Sequence, residues 1–106
     1  MNDTCQQVFS ALEEKKARDI VILDVRGMCS FADYVIICTG MSDRQIKALA
    51  ENVIMKTGKP FGTEGIELGR WVLLDYMDVV VHIFQEDLRR YYDLEGMWLE
   101  AKRVVG

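Results

Sequence analysis

The segment GRWVLLDYMDVVVHIF, Gly69–Phe84, is the most informative part of this chain, because two apolar runs flank a short acidic turn. This pattern predicts a β-hairpin with Tyr76 and Met77 at its tip. In the corresponding register Asp75 lies opposite Asp78, and residues two apart along a strand share a face. One face of the hairpin is then wholly apolar, and the other mixes aromatic, aliphatic, imidazole and carboxylate side chains.

The mixed face of the hairpin is a candidate binding surface. The predicted register places Trp71 opposite His82 and Leu73 opposite Val80 on this face. Like charges directly opposite each other destabilise a sheet, so facing aspartates are explained most easily by a basic partner. A solvated turn rich in aspartate is the alternative interpretation.

Length and composition indicate one globular domain, residues 1–106. Hydrophobic residues make up 50% of the chain and charged residues 28%, with a net charge of −4. Binding to nucleic-acid phosphates needs a basic surface, so direct nucleic-acid binding is not expected. A basic protein is the more natural partner for this acidic chain.

The cysteines and the first segment bear on the cellular compartment. Cys5, Cys29 and Cys38 are odd in number and contain no CxxC pair, which argues against a disulfide framework and a zinc site. The acidic first segment is unlike a signal or transit peptide, and no apolar stretch reaches membrane-spanning length. We therefore expect a cytoplasmic protein that makes no membrane contact.

The apolar periodicity predicts the element order αββαβββα. Asp3 or Thr4 caps the first helix, and Ser42 with Gln45 has capping-box spacing at the start of a long helix. The predicted strands before the hairpin are Ile20–Val25, Tyr34–Thr39 and Phe61–Glu64, the long helix is Ser42–Thr57, and a last helix from Glu86 contains Leu88, Tyr91, Leu94 and Trp98.

This order predicts a mixed α/β fold, with a mixed sheet flanked by helices. The first two strands are close enough along the chain to pair antiparallel, and the long helix could serve as a crossover connection. In the last helix Tyr91 and Trp98 lie seven residues apart. Their spacing predicts that both side chains face the core.

Catalytic chemistry is only weakly indicated. A strand that runs through Gly40 to a helix start at Ser42 could offer backbone amides to a phosphate, but the chain contains no P-loop and no GxGxxG motif. Asp24, Asp75 and Asp78 do not form the compact carboxylate set that metal-dependent nucleotidyl transfer needs. His82, the only histidine, is better interpreted as a hydrogen-bonded packing residue than as a catalytic base. We predict no cofactor, no metal and no enzyme activity.

Four separated segments resemble the Iojap family, the bacterial and organellar ribosomal silencing factors. The resemblance implies a fold similar to that of nucleotidyltransferases, without their catalytic motif. The segments are DIVILDVRG at Asp19–Gly27, ADYVIICTGMSDRQIKALAENV at Ala32–Val53, EGIELGRWVLLDYMDVVVHIFQED at Glu64–Asp87 and RRYYDLEGMW at Arg89–Trp98.

The resemblance also implies a function. Members of this family are expected to bind the large ribosomal subunit through its fourteenth protein, at the surface where the small subunit docks. They thereby block the joining of the subunits and lower translation when nutrients are scarce. A nucleotide-binding enzyme with a nucleotidyltransferase-like fold is the alternative, and a homodimer formed through the hairpin face is a further one.

The family's W-x-L-x-D-x-x-D pattern falls on the mixed face of the predicted hairpin. Its residues are therefore implied to contact the partner, with two more at the rim of the surface. The pattern residues are Trp71, Leu73, Asp75 and Asp78, and the rim residues are Tyr76 and Glu64.

Two positions depart from the family pattern. Met77 stands where the family commonly has glycine, and methionine disfavours the positive φ of a tight type I′ turn. We therefore expect a longer or differently bent tip. Gly96 stands where the family has a longer residue, and we expect the last helix to break near it.

Overall fold

A six-stranded sheet, three α-helices and one 3₁₀ helix make up the fold, and the computed structural model describes residues 1–106. In chain order the elements are α1 (Asp3–Glu14), β1 (Arg18–Asp24), β2 (Tyr34–Gly40), α2 (Asp43–Thr57), β3 (Gly62–Glu64), β4 (Trp71–Asp75), β5 (Val79–Gln85), α3 (Glu86–Tyr92), the 3₁₀ helix (Leu94–Trp98) and β6 (Lys102–Val105). The strand order is β3-β4-β5-β2-β1-β6. Only β2 and β5 run parallel, so the predicted mixed α/β fold is confirmed.

The two faces of the sheet are covered to different extents. Helices α1 and α2 pack together over one face and form the larger core, while α3 and the 3₁₀ helix cover only part of the other face. None of the helices combines the length and the apolar composition needed to cross a bilayer. The larger core includes Val8, Leu12, Ile46, Leu49 and Val53 from the helices and Ile22, Ile36, Cys38, Val72, Leu74, Val81 and Ile83 from the sheet.

Side-chain caps set the starts of the two long helices. Asn2, rather than the predicted Asp3 or Thr4, caps α1, and its Oδ1 accepts a hydrogen bond from the Cys5 amide at 2.8 Å. The predicted cap of α2 is confirmed, because Ser42 Oγ accepts from the Gln45 amide at 3.1 Å. In both helices the cap satisfies an amide that has no partner within the helix.

The hairpin of β4 and β5 forms, but the predicted register was wrong by two residues. Asp75 lies opposite Val80 rather than Asp78, and Trp71 lies opposite Phe84. Because side chains alternate with a period of two, an even shift leaves each of them on its predicted face. The mixed and apolar faces are therefore as expected, but the two aspartates do not face each other.

The register changes because the tip of the turn lies at Met77 and Asp78 rather than at the predicted Tyr76 and Met77. Met77 adopts φ 69°, and its amide donates to Asp75 Oδ1 at 2.8 Å. The Tyr76 amide donates to the Val79 carbonyl at 2.9 Å and closes the loop. The expectation of a differently bent tip is confirmed, and the Asp75 carboxylate stabilises the unusual conformation of the methionine.

The C-terminal segment differs most from its prediction. The last helix ends at Tyr92, because Asp93 adopts φ 45° and the chain then turns into the 3₁₀ helix. A break near Gly96 was expected and occurs three residues earlier. The prediction that Tyr91 faces the core was wrong, since its side chain is 79% exposed, whereas Trp98 does pack against the smaller core. Strand β6 was not predicted.

Candidate functional site

The face of the sheet opposite α1 and α2 is left open over β3, β4 and β5. Cross-strand partners point to the same side, so the register defines one row across the sheet: Glu64, Leu73, His82, Ile37 and Val21. The last two are buried, whereas Leu73 and His82 are partly exposed and Glu64 is exposed. We call the side chains of Glu64, Trp71, Leu73, Asp75, Val80 and His82 the open face.

Trp71 is held in the open face from three sides. Its ring stacks on Phe84 at a centroid distance of 4.8 Å and meets Tyr92 of α3 at 4.6 Å. Its indole Nε1 donates a hydrogen bond to His82 Nδ1 at 3.1 Å. The indole is therefore fixed in orientation while part of its surface stays in contact with solvent, which suits an anchor for a partner.

His82 is kept neutral by its surroundings. Burial lowers its pKa from the ordinary value of 6.5 to about 4, because a charged imidazole loses hydration among aromatic and aliphatic neighbours. The expectation that His82 is a hydrogen-bonded packing residue is consistent with its contact to Trp71. Its ring also lies parallel to that of Phe84, at 5.9 Å.

The acidic residues of the hairpin have separate environments. Asp75 lies at the end of β4 on the open face and caps the turn through Met77. Asp78 follows in the exposed turn, where its carbonyl accepts the amides of Asp33 and Tyr34 at 2.8 and 3.0 Å. The repulsion between facing aspartates, which would have favoured a basic partner, is therefore absent.

The two predicted rim residues lie on different sides of the sheet. Glu64 is exposed on the edge strand β3 and pairs with Leu73, so it borders the open face. Tyr76 instead packs against the core beneath α1 and α2, and its hydroxyl donates to the Gly58 carbonyl at 2.7 Å. The structure thus brings Trp71, Leu73 and Glu64 together and turns Tyr76 away from them.

In the connection between β2 and α2, the backbone and side chains already make close contacts with each other. Gln45 Oε1 accepts the Met41 amide at 2.6 Å, and a Cβ added at Gly40 would lie 2.5 Å from Ile46 Cγ1. An adjacent cavity of about 280 Å³ is lined by Gly40 and Met41 and by the acidic start of α3, Glu86 and Asp87. Carboxylates there oppose the binding of a phosphate group, so the geometry favours a helix cap over a nucleotide site.

The side chains that could ligate a metal or act as nucleophiles are dispersed. No three His, Cys, Asp or Glu residues come close enough to share a metal ion. Hydrogen bonds from Arg26 lower the pKa of Asp24 to about 2 and tie up that carboxylate. Burial raises the pKa of Cys5 to about 11 and that of Cys38 to about 12, so both thiols stay protonated at neutral pH.

Two exposed aromatic residues were missed by sequence reasoning, and one of them contacts Trp71 of the open face. Tyr92 covers one side of Trp71 and is 48% exposed, and Phe31 meets Trp98 edge to face at 6.2 Å and is 61% exposed. Adjacent residues of a helix point about 100° apart, so the pair Tyr91 and Tyr92 was a signal that both could not face the core.

Solved structures place this arrangement in a known class of small mixed α/β proteins. A crystal structure of a protein from Chromobacterium violaceum matches with a TM-score of 0.88 and 38% identity, covering 100% of this chain and 95% of that one. The fold is therefore shared with a protein whose structure has been solved.

The sequence comparisons then name the family. The family model described as "Ribosomal silencing factor during starvation" matches residues 1–105. A ribosomal silencing factor RsfS from Halalkalibacterium halodurans is 40% identical over 104 residues, which cover 93% of this chain and 88% of that protein. The chloroplastic protein Iojap of Zea mays is 38% identical over 97 residues, covering 89% of this chain and 42% of that protein. The chain belongs to the RsfS family of ribosomal silencing factors, and the resemblance to Iojap proteins is confirmed.

Proposed function

We propose that this protein binds the large ribosomal subunit through its fourteenth protein, by way of the open face, and so blocks docking of the small subunit. The action is steric and needs no catalytic group. By keeping the subunits apart the protein lowers translation under nutrient limitation. Membership of a family of ribosomal silencing factors supports this proposal.

The observation that carries the proposal is the fixed and partly exposed Trp71. Aromatic side chains in desolvated pockets dominate the energetics of many protein interfaces. Here Phe84, Tyr92 and His82 already hold the indole in place, so little side-chain entropy is lost when a partner covers it. Leu73 beside it extends the apolar centre of the open face.

The rim of the open face fits a basic partner. Glu64 and Asp75 border it within the sheet, and Asp78 lies at the turn in a shallow cavity shared with Phe31 and Met77. Exposed ion pairs contribute only ~0 to 1 kcal/mol each, so these carboxylates steer association more than they hold the complex. Higher salt should therefore slow binding more than it speeds dissociation.

The direct test is sedimentation of purified large and small ribosomal subunits on a density gradient, with the protein added before mixing. The expected result is co-migration with the large subunit and loss of the joined particle. Normal joining without co-migration would refute the proposal. Calorimetry with ATP and magnesium would then test the alternative of a nucleotide-binding enzyme.

Variants of the open face locate the contact. Trp71→Ala should weaken binding by ~2 kcal/mol or more, about 30-fold. The double change Asp75→Lys and Asp78→Lys should weaken it further, because it adds repulsion to the loss of attraction. The matched control is Glu13→Lys with Glu51→Lys, which makes the same charge change at exposed positions of α1 and α2.

The control separates a local contact from a general effect of charge. If both double variants lose affinity equally, net charge rather than the open face determines binding. If Asp75→Lys with Asp78→Lys binds as well as the wild type, the partner sits elsewhere on the protein. Unfolding curves of each variant show that the comparison concerns folded proteins.

A further inference from the structure

His82 presents one hydrogen-bonding group of fixed type at the centre of the open face. The indole Nε1 of Trp71 can only donate, and it points at His82 Nδ1 at 3.1 Å. In the neutral ring one nitrogen accepts and the other carries the proton. The proton of His82 is therefore on Nε2.

The Nε2–H group has no partner within the protein. His82 makes one side-chain hydrogen bond, through Nδ1, and the only buried side-chain polar atom without a partner is the hydroxyl of Thr57. Solvent therefore reaches Nε2. The ring lies between Leu73 and Ile37 in the row across the sheet, and it contacts Trp71 and Phe84 at centroid distances of 6.1 and 5.9 Å.

We infer that His82 is a specificity-determining residue of this protein, which donates a hydrogen bond from Nε2 to an uncharged oxygen of the docked protein, such as a main-chain carbonyl. This inference rests on the proposed function, because it assigns a role within the same docking face. Trp71 acts in it as a positioning residue, since its indole fixes which nitrogen carries the proton.

The chemistry of the surroundings selects the acceptor. A lysine or arginine of the partner has donors only, so it can meet Glu64 and Asp75 but cannot accept from Nε2–H. A partner carboxylate is repelled by the same two acids, because Glu64 lies in the His82 row at the edge of the sheet and Asp75 lies opposite Val80, two residues from His82 along β5. An uncharged carbonyl or hydroxyl oxygen is the group that remains.

Docking would take this donor out of water. A buried donor without an acceptor costs more than a typical hydrogen bond gains, so a surface that offers no oxygen at this point is rejected. The low pKa that burial gives His82 keeps the ring neutral also below pH 6.5, where a free imidazole becomes charged, so Nδ1 stays unprotonated and accepts from Trp71. The acidic rim therefore selects for basic side chains of the partner, and the central donor selects for an uncharged oxygen of the same partner.

Two substitutions of His82 distinguish the role of Nδ1 from that of Nε2. In His82→Asn the amide lies near the position of Nδ1 and can still accept from Trp71, but the donor at Nε2 is lost. In His82→Gln the longer side chain carries its amide to the position of Nε2 and keeps a donor there. Affinity for purified large ribosomal subunits should fall about tenfold or more in the asparagine variant, and less than threefold in the glutamine variant.

The tautomer is tested on the free wild-type protein. Two-dimensional ¹⁵N–¹H correlation spectra of the imidazole should show a protonated nitrogen at Nε2 and an unprotonated one at Nδ1. Trp71→Phe removes the indole donor and keeps a ring, so its spectra should show both tautomers. A wild-type proton on Nδ1 would overturn the inference whatever the binding data show.

The outcomes distinguish this inference from the proposed function. If the wild type binds large subunits and the asparagine variant binds equally well, the donor is not used and the inference alone fails. If the wild type does not bind, both fail. Loss of binding in the asparagine variant, rescue in the glutamine variant and the Nε2–H tautomer together support the role of His82.

Discussion

The burial of His82 predicts a specific loss of stability in acid. The perturbation is His82→Gln, which removes the only imidazole and keeps a polar amide of similar reach. In the folded protein the pKa is about 4, whereas in the unfolded chain it returns to about 6.5. Between pH 6.5 and pH 4, His82 is protonated in the unfolded chain but not in the folded protein, so acid favours unfolding.

The magnitude follows from the pKa difference. One pKa unit corresponds to about 1.4 kcal/mol. Relative to neutral pH, protonation of this residue in the unfolded chain should therefore lower the free energy of unfolding of the wild type by about 2 kcal/mol at pH 5 and about 3 kcal/mol at pH 4. Above pH 6.5 both states are neutral and the residue contributes no pH dependence. The window of the effect is therefore pH 6.5 to 4, and the loss is complete below the folded pKa.

The assay is urea unfolding of both proteins at pH 7.0, 6.0, 5.0 and 4.5, followed by tryptophan fluorescence and far-ultraviolet circular dichroism. The carboxylates common to both proteins cancel when their free energies of unfolding are subtracted at each pH. The difference between wild type and variant should shift by about 2 kcal/mol from pH 7 to pH 5. A difference that stays constant over this range would refute the claim that the folded protein holds His82 neutral.

Two further predictions concern the core. Gly40→Ala should lower the free energy of unfolding by about 1 to 3 kcal/mol, because its Cβ would meet Ile46 Cγ1 at 2.5 Å. Gly62→Ala on the edge strand is the control, since its Cβ has open space and the loss should be less than about 1 kcal/mol. Equal urea midpoints of the two variants would contradict this packing. Asn52→Ala should lower the free energy of unfolding by about 1 to 3 kcal/mol, since the buried amide donates to the Ala11 carbonyl at 2.8 Å and joins the two long helices. An unchanged midpoint in thermal unfolding would show that this hydrogen bond does not stabilise the fold.

The open face explains why an exposed aromatic cluster is compatible with a stable fold. The stability of the sheet comes from the helix-covered side, where the larger core is buried. Trp71 and Tyr92 stack outside that core, so changes to their exposed surfaces should alter binding more than folding. Soluble proteins rarely leave such apolar surface uncovered unless a partner uses it.

The sequence predicted the hairpin faces but not the hairpin register. Alternation along β4 and β5 assigned Trp71, Leu73 and Asp75 to one face, and the structure places them on one face. A shift of two residues preserves alternation, so the pattern could not distinguish the two registers. The turn decided between them, through the positive φ of Met77 and its hydrogen bond to Asp75.

The position of the Tyr76 side chain does not follow from its place at the turn. It is adjacent in sequence to the acidic residues of the turn, yet its hydroxyl reaches the Gly58 carbonyl on the helix side. Tyr92 is distant from the hairpin in sequence, yet its ring lies against Trp71. Both positions depend on how α2 and α3 pack on the sheet, and local sequence does not encode that packing.

Local sequence signals were sufficient to predict the mixed α/β class, the start of α2 at its Ser42 cap, its end at Gly58 and the alternation of the strands, because propensity, capping and periodicity act over a few residues. Other features of the fold and of the open face depend on tertiary packing. Strand β6 forms because β1 offers it an edge, and the proton of His82 is fixed on Nε2 only because Trp71 donates to Nδ1, while burial among apolar groups lowers the pKa of the ring. These features depend on contacts between residues that are far apart in the chain, and such contacts form only when the sheet has assembled.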